Sequence, residues 1–364
     1  MNKRLIVLLF ALLLPAQGAA ANDECMYRPD LFQQAGQEKT LKRGVNLSGW
    51  WWDDYRNDFT REDFQRIRKL GFDFVRLPVS QHMLAIEDKD AQEKKITELR
   101  CDIVDLLKSG LNVVLDFHPS KDFKEITETE SSDLLLVRLE NYWKTLRPAI
   151  IGLPEDRIYL NLFNEPSRKI HNWWGLQADL ISRLRPLYPE YTFIVSDRMN
   201  MFEELEKKKP YVDQNIIYDF HFYKPFFFTH HNAHWVNPPP DIREKTDRIL
   251  YPSLLEKNDP PNYDKMQKYI DEGWNKEKLS GLLESVITWS RRTKTKLICL
   301  EFGVYRPFVG TDSRIRWLKD VREILEANNI PWAIWSYNGN FGLFDKQGFL
   351  DTNAAIALGL NLTD

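Results

Sequence analysis

The chain has 364 residues, is 43% hydrophobic and carries a formal net charge of −3. That apolar fraction supports a sizeable core and excludes wholesale disorder; the near-neutral balance, with no Lys/Arg block, leaves no electrostatic footprint for nucleic acid. Length alone does not choose between one large domain and two, since single α/β barrels run to roughly 250 residues and beyond.

The N-terminus opens on the basic Met1-Asn2-Lys3-Arg4, followed by an apolar run from Leu5 to Pro15. The run is shorter than the roughly 20 residues a spanning helix needs. Gly18-Ala19-Ala20-Ala21 then supplies small residues for cleavage. Residues 1–21 therefore read as a secretory signal peptide, leaving a mature chain, 22–364, that is secreted or periplasmic and has no membrane anchor. Export permits a disulfide. Cys25 and Cys101 are the candidate pair, because Cys299 lies in an apolar strand, but spacing does not fix the connectivity. After the signal there is no linker-like change of composition, so a single domain is expected.

Eight short apolar runs follow: Leu41–Leu47, Phe72–Pro78, Asn112–His118, Ile158–Asn164, Thr192–Asp197, Ile216–Tyr223, Lys296–Gly303 and Pro331–Tyr337. Near-continuous apolar runs suit parallel strands buried on both faces. Amphipathic helical patterns lie between them, among them Arg61–Leu70 with Thr60 as N-cap, Ile96–Ser109, Trp173–Leu187 and Ser313–Asn328. Strand and helix alternating eight times predicts an α/β fold of the (β/α)8 TIM-barrel type. No strand is followed by a Gly-rich phosphate loop, which argues against a nucleotide-binding sheet. The longest irregular stretch, 224–262, follows the sixth strand and holds Phe226-Phe227-Phe228, His230, His231, His234, Trp235 and Pro238-Pro239-Pro240. A long loop on that face of a barrel is where the walls of a site are built.

Barrel chemistry sits at the C-terminal ends of strands. Those ends carry Arg76, His118, Asn164-Glu165-Pro166, His221-Phe222-Tyr223, Glu301 and Trp335. Alternation places His221 with Tyr223 on one face, and Cys299 with Glu301, with Cys299 one layer deeper. Asn164 and Glu165 are adjacent and cannot both face inward from a regular strand, so the chain must distort there. An Arg or His at a strand end is commonly a cap, and Asn-Glu-Pro is commonly a turn. Glu301 is harder to dismiss: inside Leu297-Ile298-Cys299-Leu300-Glu301-Phe302-Gly303 an ionised carboxylate needs a partner or a task. Two such Glu, on the fourth and seventh strands, are the paired carboxylates that glycoside hydrolysis uses.

These residues, with Arg43-Gly44-Val45-Asn46-Leu47-Ser48-Gly49-Trp50 and Leu111–His118, resemble glycoside hydrolase family 5, the endoglucanase-like branch of the retaining barrels, over about residues 40–345. The resemblance implies Glu165 as acid/base, with a raised pKa, and Glu301 as nucleophile, their carboxyls about 5–5.5 Å apart. It also implies Arg76 as a source of positive charge, Tyr223 as a donor to Glu301, and Asn164 on the sugar 2-hydroxyl. His118 and His221 would bind hydroxyls or tune the two Glu, and Trp335 would be the floor under the ring. No metal or organic cofactor is required. Trp50-Trp51-Trp52 suits either sugar stacking or loop packing. His230-His231-x-x-His234 suits a cleft wall better than a zinc site. Asp116 and Asp219 are candidates to orient His118 and His221, or are paired core polars. Asn46-Leu47-Ser48 and Asn361-Leu362-Thr363 match a glycosylation sequon, the first within a strand. The function expected is that of a monomeric endo-β-1,4-glucanase acting on β-glucan. The alternatives are a β-mannanase or other β-glucan hydrolase on the same scaffold and, in another class, a non-catalytic carbohydrate-binding barrel.

Overall fold

All eight apolar runs become strands in the computed structural model of the protein, which describes Cys25 and residues 41–52, 58–233, 235–236, 249–253, 264–345 and 347–362. They are β1 (Arg43–Asn46), β2 (Phe74–Val79), β3 (Asn112–Phe117), β4 (Ile158–Asn161), β5 (Thr192–Ser196), β6 (Ile216–Phe222), β7 (Lys296–Phe302) and β8 (Trp332–Ile334). Every pairing is parallel and in sequence order, and β8 returns to β1, closing the barrel. The chain is thus a single (β/α)8 TIM barrel, as its alternation predicts.

The helices are α1 (Arg61–Lys69), α2 (Lys89–Lys108), α3 (Lys121–Thr127), α4 (Ser132–Ile150), α5 (Trp173–Leu184), α6 (Phe202–Leu205), α7 (Phe226–Thr229), α8 (Asp264–Asp271), α9 (Lys276–Thr293), α10 (Thr311–Ala327) and α11 (Thr352–Ala357). Thr60 caps α1 in a reciprocal capping box with Asp63. α2 begins seven residues earlier than its apolar pattern suggests, because Asp88 caps a polar first turn onto Ala91. Cys25 and Cys101, on α2, form a disulfide. Among the described residues no helix is long and apolar enough to cross a membrane. The segment 1–21 lies outside the described residues, as do His234 and Pro238 to Pro240.

Two apolar cores follow from strand alternation. Outward residues such as Val75, Leu77, Val113, Leu115, Tyr218 and Phe220 pack against the helices. Inward ones, Phe74, Val114, Tyr159, Ile194, Ile298, Leu300 and Ala333, fill the barrel toward its N-terminal end. Gly44 is required there, because a Cβ would run into the Phe74 ring. Toward the C-terminal end the inward positions turn polar: Asn46, Arg76, Asp116, Asn161 and Asp219 are all fully enclosed.

Two irregularities set the site. β4 leaves the ladder after Asn161, and Glu165 takes φ +46°, the distortion that the adjacency of Asn164 and Glu165 demands. In β7 the register against β6 slips, with Phe220 opposite Cys299 but His221 opposite Glu301. That bulge corrects the expectation that Cys299 and Glu301 share a face. Cys299 lies in the outer core, Leu300 in the inner one, and the extra residue re-aims Glu301 into the barrel mouth.

Candidate active site

Glu301 is 5% exposed and held from two sides. Arg76 donates through Nη1 to Oε1 at 2.6 Å, and Tyr223 donates its hydroxyl to Oε2 at 3.0 Å. Arg76 also binds Asn46 and Asn164 and pairs with Asp116 at 3.0 Å. Burial opposes its charge, but Asp116, Glu301 and Asp219 together hold the guanidinium pKa above its usual value. Burial and the Glu301 and Glu165 carboxylates push the Tyr223 phenol well up, so it stays a donor.

Glu165 sits across the mouth on the turn after β4. Its backbone N–H donates to Asn200 Oδ1 at 2.8 Å. Its carboxylate lies 3.1 Å from His221 Nδ1 and 3.8 Å from Lys124 Nζ on α3. The same His221 nitrogen is 3.5 Å from Glu301 Oε2, and its Nε2 is 3.5 Å from Asp219. Burial would lower the imidazole, but Glu301, Asp219 and Glu165 raise it to about 10. Burial would likewise raise the Glu165 carboxyl; the hydrogen bond and charge of His221, with the Lys124 ammonium, bring it down to about 2 instead. A raised Glu165 pKa is the expectation; the imidazole 3.1 Å away instead pushes it down.

His118 is oriented by Asp116 at 2.8 Å from its Nδ1. With the proton on Nδ1, Nε2 accepts from Asn164 Nδ2 at 3.3 Å. Both His118 nitrogens are thereby engaged, so the ring holds Asn164 rather than offering a free nitrogen to a hydroxyl. Trp335 leaves β8 directly into the mouth and lies 5.9 Å from the His118 ring, nearly parallel to it. Gly303 permits this course, since a Cβ there would stand 2.5 Å from the Trp335 carbonyl oxygen. Trp52 meets His118 edge-on at 4.3 Å. Of the tryptophan triplet, only Trp52 reaches the site. Trp50 packs against Phe59 and Phe64, and Trp51 donates to Asp102.

One oxygen of Glu165, one of Glu301 and a nitrogen of His221 lie within 4.8 Å of one another. Oxygens this close suit a nucleophile and an acid/base, the pair that a retaining glycosidase uses. Distance alone would also suit a cation at these three, but Arg76 and Tyr223 already engage the two oxygens of Glu301.

All eight residues singled out in the sequence, Arg76, His118, Asn164, Glu165, His221, Tyr223, Glu301 and Trp335, meet at this mouth. Asp116 bonds His118 Nδ1 and also pairs with Arg76, and Asp219 faces His221 Nε2 at 3.5 Å. Asn200, Lys124, Asn46 and Asn161 join the network without any sequence signal that picks them out. His230, of the histidine run, serves the wall: it stacks on Phe226 at 4.0 Å and packs beside Tyr223 and Phe341. Asn46 donates to Leu300 O and Ile334 O inside the barrel, which leaves its sequon no access to a glycan.

A sequence model described as Cellulase (glycosyl hydrolase family 5) matches residues 33–341. The chain belongs to glycosyl hydrolase family 5. It is a glycoside hydrolase, and the retaining mechanism is general to that family. Endoglucanase C of Acetivibrio thermocellus is 30% identical over 320 residues, 82% of this chain and 91% of the relative. Cellodextrinase A of Ruminococcus flavefaciens is 26% identical over 313 residues, 81% and 84% of the two chains. Among solved structures, endoglucanase Cel5A of Thermotoga maritima superposes with a TM-score of 0.72 at 23% identity, covering 90% of this chain and 99% of that one. The barrel fold is thus shared where sequence identity is low.

Proposed function

We propose that the protein is an exported, retaining endo-β-1,4-glucanase, with Glu301 as nucleophile and Glu165 as acid/base. The observation that carries this is the pair of carboxylates with oxygens within 4.8 Å of each other, one bonded to Arg76 and Tyr223, the other to His221. In the first step Glu301 Oε2 attacks the anomeric carbon and the glycosidic C–O bond breaks. Glu165 delivers a proton to the departing oxygen. His221 Nδ1 lies 3.1 Å from Glu165 Oε1, so the imidazole is placed to pass that proton to Glu165 as the bond breaks. In the second step Glu165 takes a proton from water and returns it to His221 Nδ1, the water oxygen attacks the anomeric carbon, and Glu301 leaves with net retention. Asn164, held by Arg76 and His118, presents its amide to the 2-hydroxyl, and Trp335 forms the floor under the ring.

The glucan reading is supported by relatives named endoglucanase and cellodextrinase. A mannan reading stays in play because the Thermotoga barrel has been solved with mannotriose as well as with cellobiose. A purely binding barrel would have no use for two carboxylates at this spacing. Export through residues 1–21, leaving 22–364 as the catalytic domain, fits the disulfide at Cys25, a bond favoured in oxidising compartments. The test is release of reducing sugar from soluble β-glucans and mannans by wild type, Glu165→Gln and Glu301→Gln. Cleavage of carboxymethylcellulose or mixed-linkage glucan, lost by orders of magnitude in both variants, is the expected result. Cleavage of mannan alone would overturn the substrate, and undiminished variants would overturn the roles.

A further inference from the structure

Glu165 holds φ +46°, a conformation that L residues seldom keep without support. The support comes from the turn after β5. Asn200 Oδ1 accepts the Glu165 backbone N–H at 2.8 Å, and the Met199 N–H donates to Pro166 O at 2.8 Å. Met199 and Asn200 take left-handed φ angles of 55° and 49°, which aims the Asn200 side chain back across the barrel mouth. Its Oδ1 takes a second bond from Ser196 Oγ at 3.1 Å. Its Nδ2 donates to Asp219 Oδ2 and stands 3.2 Å from His221 Nε2.

We infer that Asn200 is a positioning residue for the acid/base: one fully enclosed amide fixes the backbone of Glu165 and, from its other end, the Asp219–His221 arm that faces the Glu165 carboxylate. The side chain is matched to that task. It needs an acceptor toward an N–H and a donor toward a carboxylate in one planar group, which an amide supplies. Alanine leaves the Glu165 N–H buried and unbonded. Aspartate keeps the acceptor but loses the donor and sets a second carboxylate beside Asp219. Asn200 is remote from Glu165 in sequence, on a different strand's turn, and it acts through Glu165 and His221.

The inference rests on Glu165 being the acid/base, and the experiment separates the two claims. Phenyl and 2,4-dinitrophenyl β-cellobiosides are compared as substrates for wild type, Glu165→Ala, Asn200→Ala and Asn200→Asp, with pH–rate profiles and near-UV circular dichroism. Dinitrophenolate leaves with little need of a proton; phenolate does not. For Glu165→Ala, kcat/KM on the phenyl glycoside falls by roughly 10²–10⁴-fold, with under roughly tenfold loss on the dinitrophenyl one. Both Asn200 variants are expected to show the same selectivity, with roughly 10²-fold loss on the phenyl substrate and shifted limbs in the pH profile. Equal losses on both substrates with unmoved limbs mean a merely structural role and overturn the inference. Selectivity in Glu165→Ala but in neither Asn200 variant overturns it alone; no selectivity in Glu165→Ala overturns the acid/base assignment as well. Asn200→Asp, nearly isosteric, carries the test if Asn200→Ala does not fold, and failure of both to fold makes Asn200 structural and overturns it.

Discussion

Arg76 Nη1 donates to Glu301 Oε1 across 2.6 Å, with the arginine side chain fully enclosed and the glutamate side chain 7% exposed. The same guanidinium faces Asp116, so its loss strands two buried carboxylates. Arg76→Met is expected to lower unfolding free energy by about 3–5 kcal/mol, because breaking a buried pair leaves uncompensated charge. Urea unfolding at neutral pH measures this, and a variant as stable as wild type would contradict it.

Tyr223 does a narrower job. Tyr223→Phe removes only the donor to Glu301 Oε2 and keeps the ring packed beside His230 and Phe341. A hydrogen bond to a charged group contributes about 1.5–3 kcal/mol. A kcat decrease of roughly 10–10²-fold is therefore expected on the preferred glucan, with the circular dichroism spectrum unchanged.

The Glu165–His221 pair fixes a pH window. His221 is raised from 6.5 to about 10, so its stabilisation is full below pH 6.5 and is lost as pH climbs through about 10. Glu165 is lowered from 4.5 to about 2, so its share is full above pH 4.5 and is lost as pH falls through about 2. The pair therefore contributes most between about pH 4.5 and 6.5. In urea titrations across pH, the advantage of wild type over His221→Gln should be widest in that window and narrow toward both extremes. An advantage that grew on the alkaline side would contradict the direction of the imidazole shift.

The Cys25–Cys101 bond spans 76 residues of sequence. Cross-links of this kind stabilise by about 2–4 kcal/mol, chiefly through the unfolded chain. Cys101→Ser should lower the denaturation midpoint of the oxidised protein accordingly, while kcat on glucan holds.

The barrel was legible because parallel strands buried on both faces read as apolar runs, and because each run is followed by a helix. The strand ends were legible too: alternation alone puts Arg76, His118, His221 and Tyr223 at the mouth. Alternation failed at Glu301, where a bulge shifts the period, a backbone event that Leu297–Phe302 does not announce. Asn200 and Lys124 come from turns and helices far along the chain, where no period connects them to Glu165. The sign of the Glu165 shift depends on a 3.1 Å approach by His221, 56 residues away, and only the folded chain supplies it.

The central claim is a covalent intermediate on Glu301. Its most direct test is incubation with 2,4-dinitrophenyl 2-deoxy-2-fluoro-β-cellobioside, followed by peptide mass spectrometry. Stoichiometric release of dinitrophenolate, with the fluorosugar on the peptide containing Glu301 and none on that containing Glu165, is the predicted result. Label on Glu165 or any other residue, or release of an inverted anomer from native substrate, would contradict it.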